Sequence, residues 1–250
     1  MKKNSPYNLR YFQFSHIKHL TDIAHGIFTR IGGYSDFPYN SLNISFDVGD
    51  HPANVQNNIQ LIHHVMGFTK YQALKQTHSC KIHVIETTSH DPLIGDALIT
   101  SQSNILLIIK TADCQPVLLA DPVNHQVAAI HSGWRGNVQN IIGKTIAKMI
   151  ERGSKPQNIL AGIGPSLGPC CAEFMHYQQE LPEYMWSYAV KPNYFNFWEI
   201  SKKQLQDKGV LEKNIEMSKM CTKCCNELFY SYRRNKISGR FASVIGIKIK

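Results

Sequence analysis

The feature that most constrains this chain is a continuous apolar run, Asn104 to Lys110 (NILLIIK), followed by two shorter apolar segments, Pro116 to Ala120 and Gln126 to His131. A run of this length without polar alternation reads as a buried strand. Asp121-Pro122-Val123-Asn124 separates the second and third segments and reads as a turn. A set of neighbouring strands is therefore expected at the centre of the fold.

Helical and strand patterns flank this centre. Asp50 to Gly67 reads as a helix, with Asp50 as cap, Pro52 in the first turn, Gly67 as stop, and Val55, Ile59, Ile62 and Met66 as its apolar stripe. Lys81 to Thr87 reads as a strand. Ser132 to Gly136 (SGWRG) is expected to be a loop. Asn137 to Arg152 is expected to be one helix, with Val138, Ile141, Ile142, Ile146, Met149 and Ile150 on one face and Gly153 after it. Asn158 to Ile163 is a further strand running into a Gly/Pro-rich loop, Gly164 to Cys170. Glu199 to Lys208 is a helix ended by Gly209, and Phe241 to Ile247 is the last strand. Gly32-Gly33 marks a tight turn or a close backbone approach. Strands and helices interleave without a linker or repeat, so the fold class is α+β or mixed α/β, a single domain over residues 1–250.

With 250 residues, 43% of them hydrophobic, the chain can bury a core without disulfides. Its seven cysteines are an odd number and no secretory leader pattern opens the sequence, which points to reduced thiols and a cytoplasmic protein. No segment has the length of a membrane span. The net charge of +9 comes from scattered lysines, with no basic helix or aromatic RNA-binding motif. A solvated basic surface, or attraction for a small anionic substrate, fits this better than nucleic acid.

Hairpin register gives a candidate metal site. If Asp121 to Asn124 form the loop, Ala120 pairs with His125, and counting back along both strands sets Cys114 opposite His131. Opposed residues share a face, with Cβ atoms about 5 Å apart. Zinc binds sulfur at about 2.3 Å and imidazole nitrogen at about 2.0 Å, so one ion could bridge them. His78, in Gln76-Thr77-His78-Ser79, is a third donor, with His83 and Cys80 as competitors. Three donors leave a fourth position for substrate, the catalytic pattern. Asp113, beside Cys114, could accept a hydrogen bond or act as a base. Cys221-Thr-Lys-Cys224-Cys225 contains a lone CxxC. A structural zinc would need a second pair, and Cys170-Cys171 lacks the spacing, so buried thiols are expected there.

The motifs TRIGGYS (29–35), SLNIS (41–45), QTHS (76–79), DALIT (96–100), TADCQPVLLAD (111–121), HSGWRG (131–136), GIGPSLGPCC (162–171) and CTKCCNELFYSYRR (221–234) together resemble the laccase-domain, or YfiH-like, family. The resemblance runs from about His25 to Gly246. It implies a single domain with sheets packed between helices, and one zinc on His78, Cys114 and His131. It also implies purine nucleoside chemistry: phosphorolysis of adenosine, inosine, guanosine and methylthioadenosine, with some adenosine deamination.

Catalytic roles would fall on Cys114, Asp113, His131 and Arg135. Phosphate and nucleoside contacts would fall on Arg30, Arg135, Arg233 and, more weakly, Asn43. A muropeptide hydrolase on the same zinc site is an alternative that the family also suggests. The family's label of polyphenol oxidase fits less well. A multicopper laccase uses repeated His-x-His pairs, and none of the twelve histidines here forms one. The chain departs from the family at Asn58-Ile59, where Asn-Arg is common, and at Asn196, where Asp is common.

Overall fold

The computed structural model describes residues 8–89, 91 and 93–249, with the backbone of Lys3 and Asn4. NILLIIK forms the strand Ile105–Thr111, deep in a seven-stranded mixed sheet whose order is Lys3–Asn4, Arg10–Phe12, Ile23–Phe28, Phe241–Ile247, Ile105–Thr111, Lys70–Lys75, Leu93–Ile94. The second sheet has six strands in the order Ile215–Met217, Leu160–Ile163, Gln115–Asp121, Gln126–Ser132, Ala97–Thr100, Ile82–Val84. The two sheets stack face to face. Ile105, Leu107, Ile109 and Ile245 from the first meet Leu98, Leu118, Val127 and Ala129 from the second in one cluster.

The alternate residues explain why these strands carry no polar positions. Leu106, Ile108, Ala242 and Val244 point away from the partner sheet and pack on the helix Pro52–Met66 through Val55, Ile59, Ile62 and Met66. Ile99, Val117, Leu119, Ala128 and Ile130 do the same with the helix Ile141–Glu151 through Ile141, Ile142, Ile146 and Met149. Each central strand is thus buried on both faces, and the order of layers is helix, sheet, sheet, helix. Fold class and layering agree with the sequence expectation.

Some boundaries differ. The helix expected from Asp50 starts at Pro52 with His51 as N-cap, and Asp50 instead accepts from the His51 N–H and the Asn43 amide. The strand expected over 81–87 is limited to Ile82–Val84. The expected loop SGWRG is mostly a short helix, Trp134–Val138. Asn140, in a left-handed conformation at φ 56°, then caps a second helix through its side chain and the Gly143 N–H, so Asn137 to Arg152 is not continuous. Gly33 is a close approach as expected: a Cβ there would lie 2.2 Å from the Ser41 carbonyl oxygen. Among the described residues no helix is long and apolar enough to cross a membrane.

The hairpin between Gln115–Asp121 and Gln126–Ser132 has a four-residue loop, displaced by one position. Asp121 pairs with Gln126, and the loop is Pro122–His125. The Asp121 carboxylate accepts from the Val123 and Asn124 N–H groups inside the turn, at 3.0 and 3.1 Å, which fixes this choice. His131 therefore faces Pro116, not Cys114. The shift is two residues, so the parity of each strand, and the face each side chain shares, is unchanged.

His25 is fully buried in the strand Ile23–Phe28, and its Nε2 accepts from the Phe14 N–H at 2.8 Å. A ring nitrogen that accepts cannot carry a proton. Burial, aided by nearby His16, lowers the His25 pKa from 6.5 to about 4. Between these values the unfolded chain binds a proton that the folded chain refuses, so stability rises with pH across that window. Urea titrations should show wild-type protein losing about 3 kcal/mol from this group between pH 6.5 and pH 4. His25→Leu should remove that part of the slope; an unaltered slope in the variant would disprove the assignment.

Candidate functional site

The site is organised by Asp96, a fully buried carboxylate at the start of the strand Ala97–Thr100. A buried carboxylate must be matched by donors. The segment Thr77 to Ser79 folds around it. The N–H groups of Thr77, His78 and Ser79 donate to its two oxygens at 3.3, 3.0 and 2.7 Å, and the Ser79 hydroxyl adds a bond at 2.7 Å. Successive N–H groups can converge this way because His78 is left-handed, at φ 58°, giving an anion nest. His131 completes the ring, with Nδ1 at 2.7 Å from Asp96 Oδ1 and its own N–H donating to the Asp96 carbonyl. Burial alone would raise the Asp96 pKa, but the bonds from His131 and Ser79 bring it to about 2.

With Nδ1 held by Asp96, His131 turns Nε2 away from the carboxylate. The donor atoms of His78, Cys114 and His131 all lie within 4.8 Å of one another, with Cys114 Sγ 3.6 Å from His78 Nε2. Cys114 reaches this place from the residue preceding the strand Gln115–Asp121, two positions from the residue that faces His131. Gly133 closes the approach: a Cβ there would lie 2.7 Å from His78 Cδ2 and 3.0 Å from Cys114 Sγ. The other two candidates stay outside. His83 Nε2 lies 2.8 Å from the Ile94 carbonyl oxygen, and Cys80 Sγ lies 3.2 Å from Lys144 Nζ.

The donor chemistry suits a soft or borderline divalent cation. Burial would raise the Cys114 thiol, but the charge of His131 and hydrogen bonds from both histidines pull it below its ordinary value. Burial would lower His131, but Cys114 and Asp96 raise it. A thiolate and a carboxylate-oriented imidazole are what such a metal site needs. Zinc fits this set of one sulfur and two nitrogens.

The three donors open on a cavity of about 520 Å³. Its walls hold the cations Lys110, Arg233 and Arg240, the carboxylates Asp47 and Asp113, and the aromatic rings of Trp134, Phe174, Phe197 and Tyr232. Arg233, a candidate from the sequence, thus lines the cavity onto which the three donors open. Arg135 does not line the cavity; it is exposed and stacks on Trp134, 4.3 Å from the ring centroid. Arg30 lines a separate surface pocket, bonded to Asn40 and stacked on Tyr230. Asn43 is buried and fully engaged with Ser45, Asp50 and the Arg240 N–H, so it orders the cavity wall from behind.

Asp113 lines the cavity, but both its oxygens are taken, by the Thr222 hydroxyl and the Arg233 N–H, each at 2.6 Å. It positions the loop that carries Arg233. Behind the donors, Gln115, Asn137 and Ser201 form a buried polar network that reaches Ser132.

Sequence reasoning missed Asp96, Lys110 and Arg240. The signal for Asp96 was an acidic residue opening an otherwise apolar strand. Lys110 closed the apolar run, and Arg240 preceded the last strand. The expectation of buried thiols at the CxxC holds for Cys221, which is buried, and fails for Cys224. Cys170 and Cys224 are exposed, and the sulfurs of Cys170, Cys171, Cys221 and Cys224 gather within 4.8 Å of one another.

Two substitutions separate the parts of the site. Asp96→Asn should cost roughly 3 kcal/mol in chemical unfolding, since it leaves converging donors unmatched. Where the triad holds a divalent cation, it should also weaken that binding about 10–100-fold. Gly133→Ala sits at φ −73°, which alanine adopts freely, so it should fold normally yet lose affinity for a divalent cation at the triad. Unchanged affinity in a chelator competition would refute the crowding argument.

A family model described as multi-copper polyphenol oxidoreductase laccase matches residues 24–248. The purine nucleoside phosphorylase YfiH of Escherichia coli is 31% identical over 226 residues, covering 87% of this chain and 90% of the relative. The purine nucleoside phosphorylase SCO2081 of Streptomyces coelicolor is 33% identical over 239 residues, covering 89% and 95%. Among solved structures, the hypothetical protein YfiH of Bacillus licheniformis superposes with a TM-score of 0.88 at 29% identity, covering 99% of both chains. With nearly its whole length matched in sequence and in fold, this chain belongs to the laccase-like YfiH family.

Proposed function

We propose that this chain is a zinc-dependent purine nucleoside phosphorylase of the cytoplasm. Its substrates would be adenosine, inosine, guanosine and methylthioadenosine, with adenosine deamination as a side activity. The observation that carries the reading is one cavity that joins the His78–Cys114–His131 donors, three cations and an aromatic wall. The relatives named purine nucleoside phosphorylase support it. The multicopper reading has less support. Among the described residues the metal-capable clusters are this triad and the four cysteines, and neither is a set of paired histidines.

In phosphorolysis a phosphate oxygen bonds to ribose C1′ as the bond from C1′ to the purine nitrogen breaks, and the purine leaves with the bonding pair and gains a proton. Bound at His78, Cys114 and His131, zinc would supply a Lewis acid that polarises and orients a substrate oxygen. The cations suit phosphate. Arg240 is braced by the Ser238 and Gly239 carbonyls through Nη1, and Arg233 by the Glu173 carbonyl, so the forks are held before an anion arrives. The Lys110 pKa is lowered by burial and partly restored by Asp47 at 3.5 Å, so an incoming phosphate would strengthen its charge. Trp134, Phe174, Phe197 and Tyr232 offer flat apolar faces to a base.

Zinc-loaded protein given inosine and phosphate should release hypoxanthine and ribose 1-phosphate. Arg240→Ala should raise the KM for phosphate about 10-fold or more, the worth of one charge-assisted hydrogen bond. Cys114→Ser should lower kcat/KM by roughly 100-fold or more, in line with the several kcal/mol a Lewis acid supplies. Absence of turnover with every nucleoside tested, in protein shown to carry zinc, would sink the proposal. Turnover of peptide-bearing nucleotide sugars in its place would favour the hydrolase reading.

A further inference from the structure

The four clustered cysteines belong to two irregular loops that the backbone ties together. The Ser166 N–H donates to the Met220 carbonyl at 3.2 Å, and the Thr222 N–H returns to the Ser166 carbonyl at 3.0 Å. This short parallel bridge places the turn holding Cys170-Cys171 over the turn holding Cys221 to Cys224. Gly168 allows the approach, since a Cβ there would lie 3.0 Å from Cys221 Cβ and 2.8 Å from the Trp198 ring. The adjacent pair and the CxxC pair, separated by fifty residues in sequence, thus face each other.

The sulfur geometry selects among the fates of four thiols. Cys224 Sγ lies 3.7 Å from Cys170 Sγ and 3.6 Å from Cys171 Sγ. A disulfide needs about 2.05 Å. In a tetrahedral tetrathiolate with metal–sulfur bonds of about 2.3 Å, the sulfur–sulfur edge is about 3.8 Å. Both separations match that edge, and all four sulfurs are mutually within 4.8 Å. Backbone N–H groups of Gly168 and Cys224 bond the Cys221 sulfur, the support that ligating thiolates receive.

We propose that Cys170, Cys171, Cys221 and Cys224 bind a second, structural zinc ion, separate from the His78–Cys114–His131 site. Binding exchanges thiol protons for the metal and involves no redox change. The ion would clamp the loops that wall the cavity: Leu167, Ala172 and Phe174 come from one, and Tyr232 and Arg233 from the segment after the other. A dianionic tetrathiolate is also accommodated in a chain of net charge +9.

The test is metal content of fully reduced protein, expressed with zinc and dialysed against metal-free buffer. Wild-type protein should hold two zinc ions per chain. Cys170→Ser/Cys224→Ser, which alters the two exposed members, should hold one, and His78→Ala should retain the other. Cobalt substitution of wild-type protein gives a readout that needs no variant: the tetrathiolate should show intense thiolate-to-cobalt charge transfer, and His78→Ala should keep most of it. A single equivalent in wild-type protein that His78→Ala loses and Cys170→Ser/Cys224→Ser keeps overturns the proposal. So does a second equivalent that survives Cys170→Ser/Cys224→Ser, or a cobalt spectrum with the intensity of one thiolate only. The outcomes at His78 and at the cysteines are read separately, so failure of either site does not obscure the other.

Discussion

The structure around the cavity depends on one buried negative charge. Asp96 sits where a strand begins, out of water, and an unmatched carboxylate there would cost several kcal/mol. The chain satisfies it with N–H groups from a segment that precedes it by almost twenty residues and with an imidazole that follows it by thirty-five. The same bonds that neutralise the charge fix the backbone of His78 and the ring of His131. Two donors of the triad are thereby oriented by one group, and the third, Cys114, is admitted by the missing side chain at Gly133.

The two stacked sheets supply the rigidity this arrangement needs. Cys114 and His131 stand at the same end of neighbouring strands whose interiors are buried on both faces, so neither can shift without moving the core. His78 is different. It lies on a turn held in a left-handed conformation, which costs a non-glycine residue about 1–3 kcal/mol. Its bonds to Asp96 offset that strain. The exposed donor is thus kept in place by polar contacts, while the other two also rest on strands held by packing.

Much of this was legible in the sequence, and the rest was hidden for definite reasons. NILLIIK announced a doubly buried strand because local apolarity is a property of the segment itself. Phe241 to Ile247 was legible for the same reason and agrees to the residue. The hairpin register was misplaced because the Asp121 carboxylate caps its own turn, which holds Asp121 in the strand and moves the loop one residue on. The error was even in number, so the shared face of Cys114 and His131 survived it. Asn137 to Arg152 read as continuous because its apolar stripe is continuous; a single left-handed Asn140 breaks it. Arg30 and Arg135 could not be separated from Arg233 by composition, since exposure and stacking decide their roles. The meeting of Cys170-Cys171 with Cys221 and Cys224 depends on a two-bond bridge between distant loops, which no spacing rule records.

Asp113 has a wider consequence. Its carbonyl accepts from the Leu167 N–H, and its carboxylate accepts from Thr222 and from the Arg233 N–H. One residue is therefore the common anchor of three stretches of irregular backbone, two of which, at Leu167 and at Arg233, wall the cavity. Openings that expose any of these N–H groups must break contacts at the same anchor, so the stretches form one cooperative unit in amide exchange. Access to the cavity is then governed by a joint opening of its wall and not by the independent fraying of separate loops.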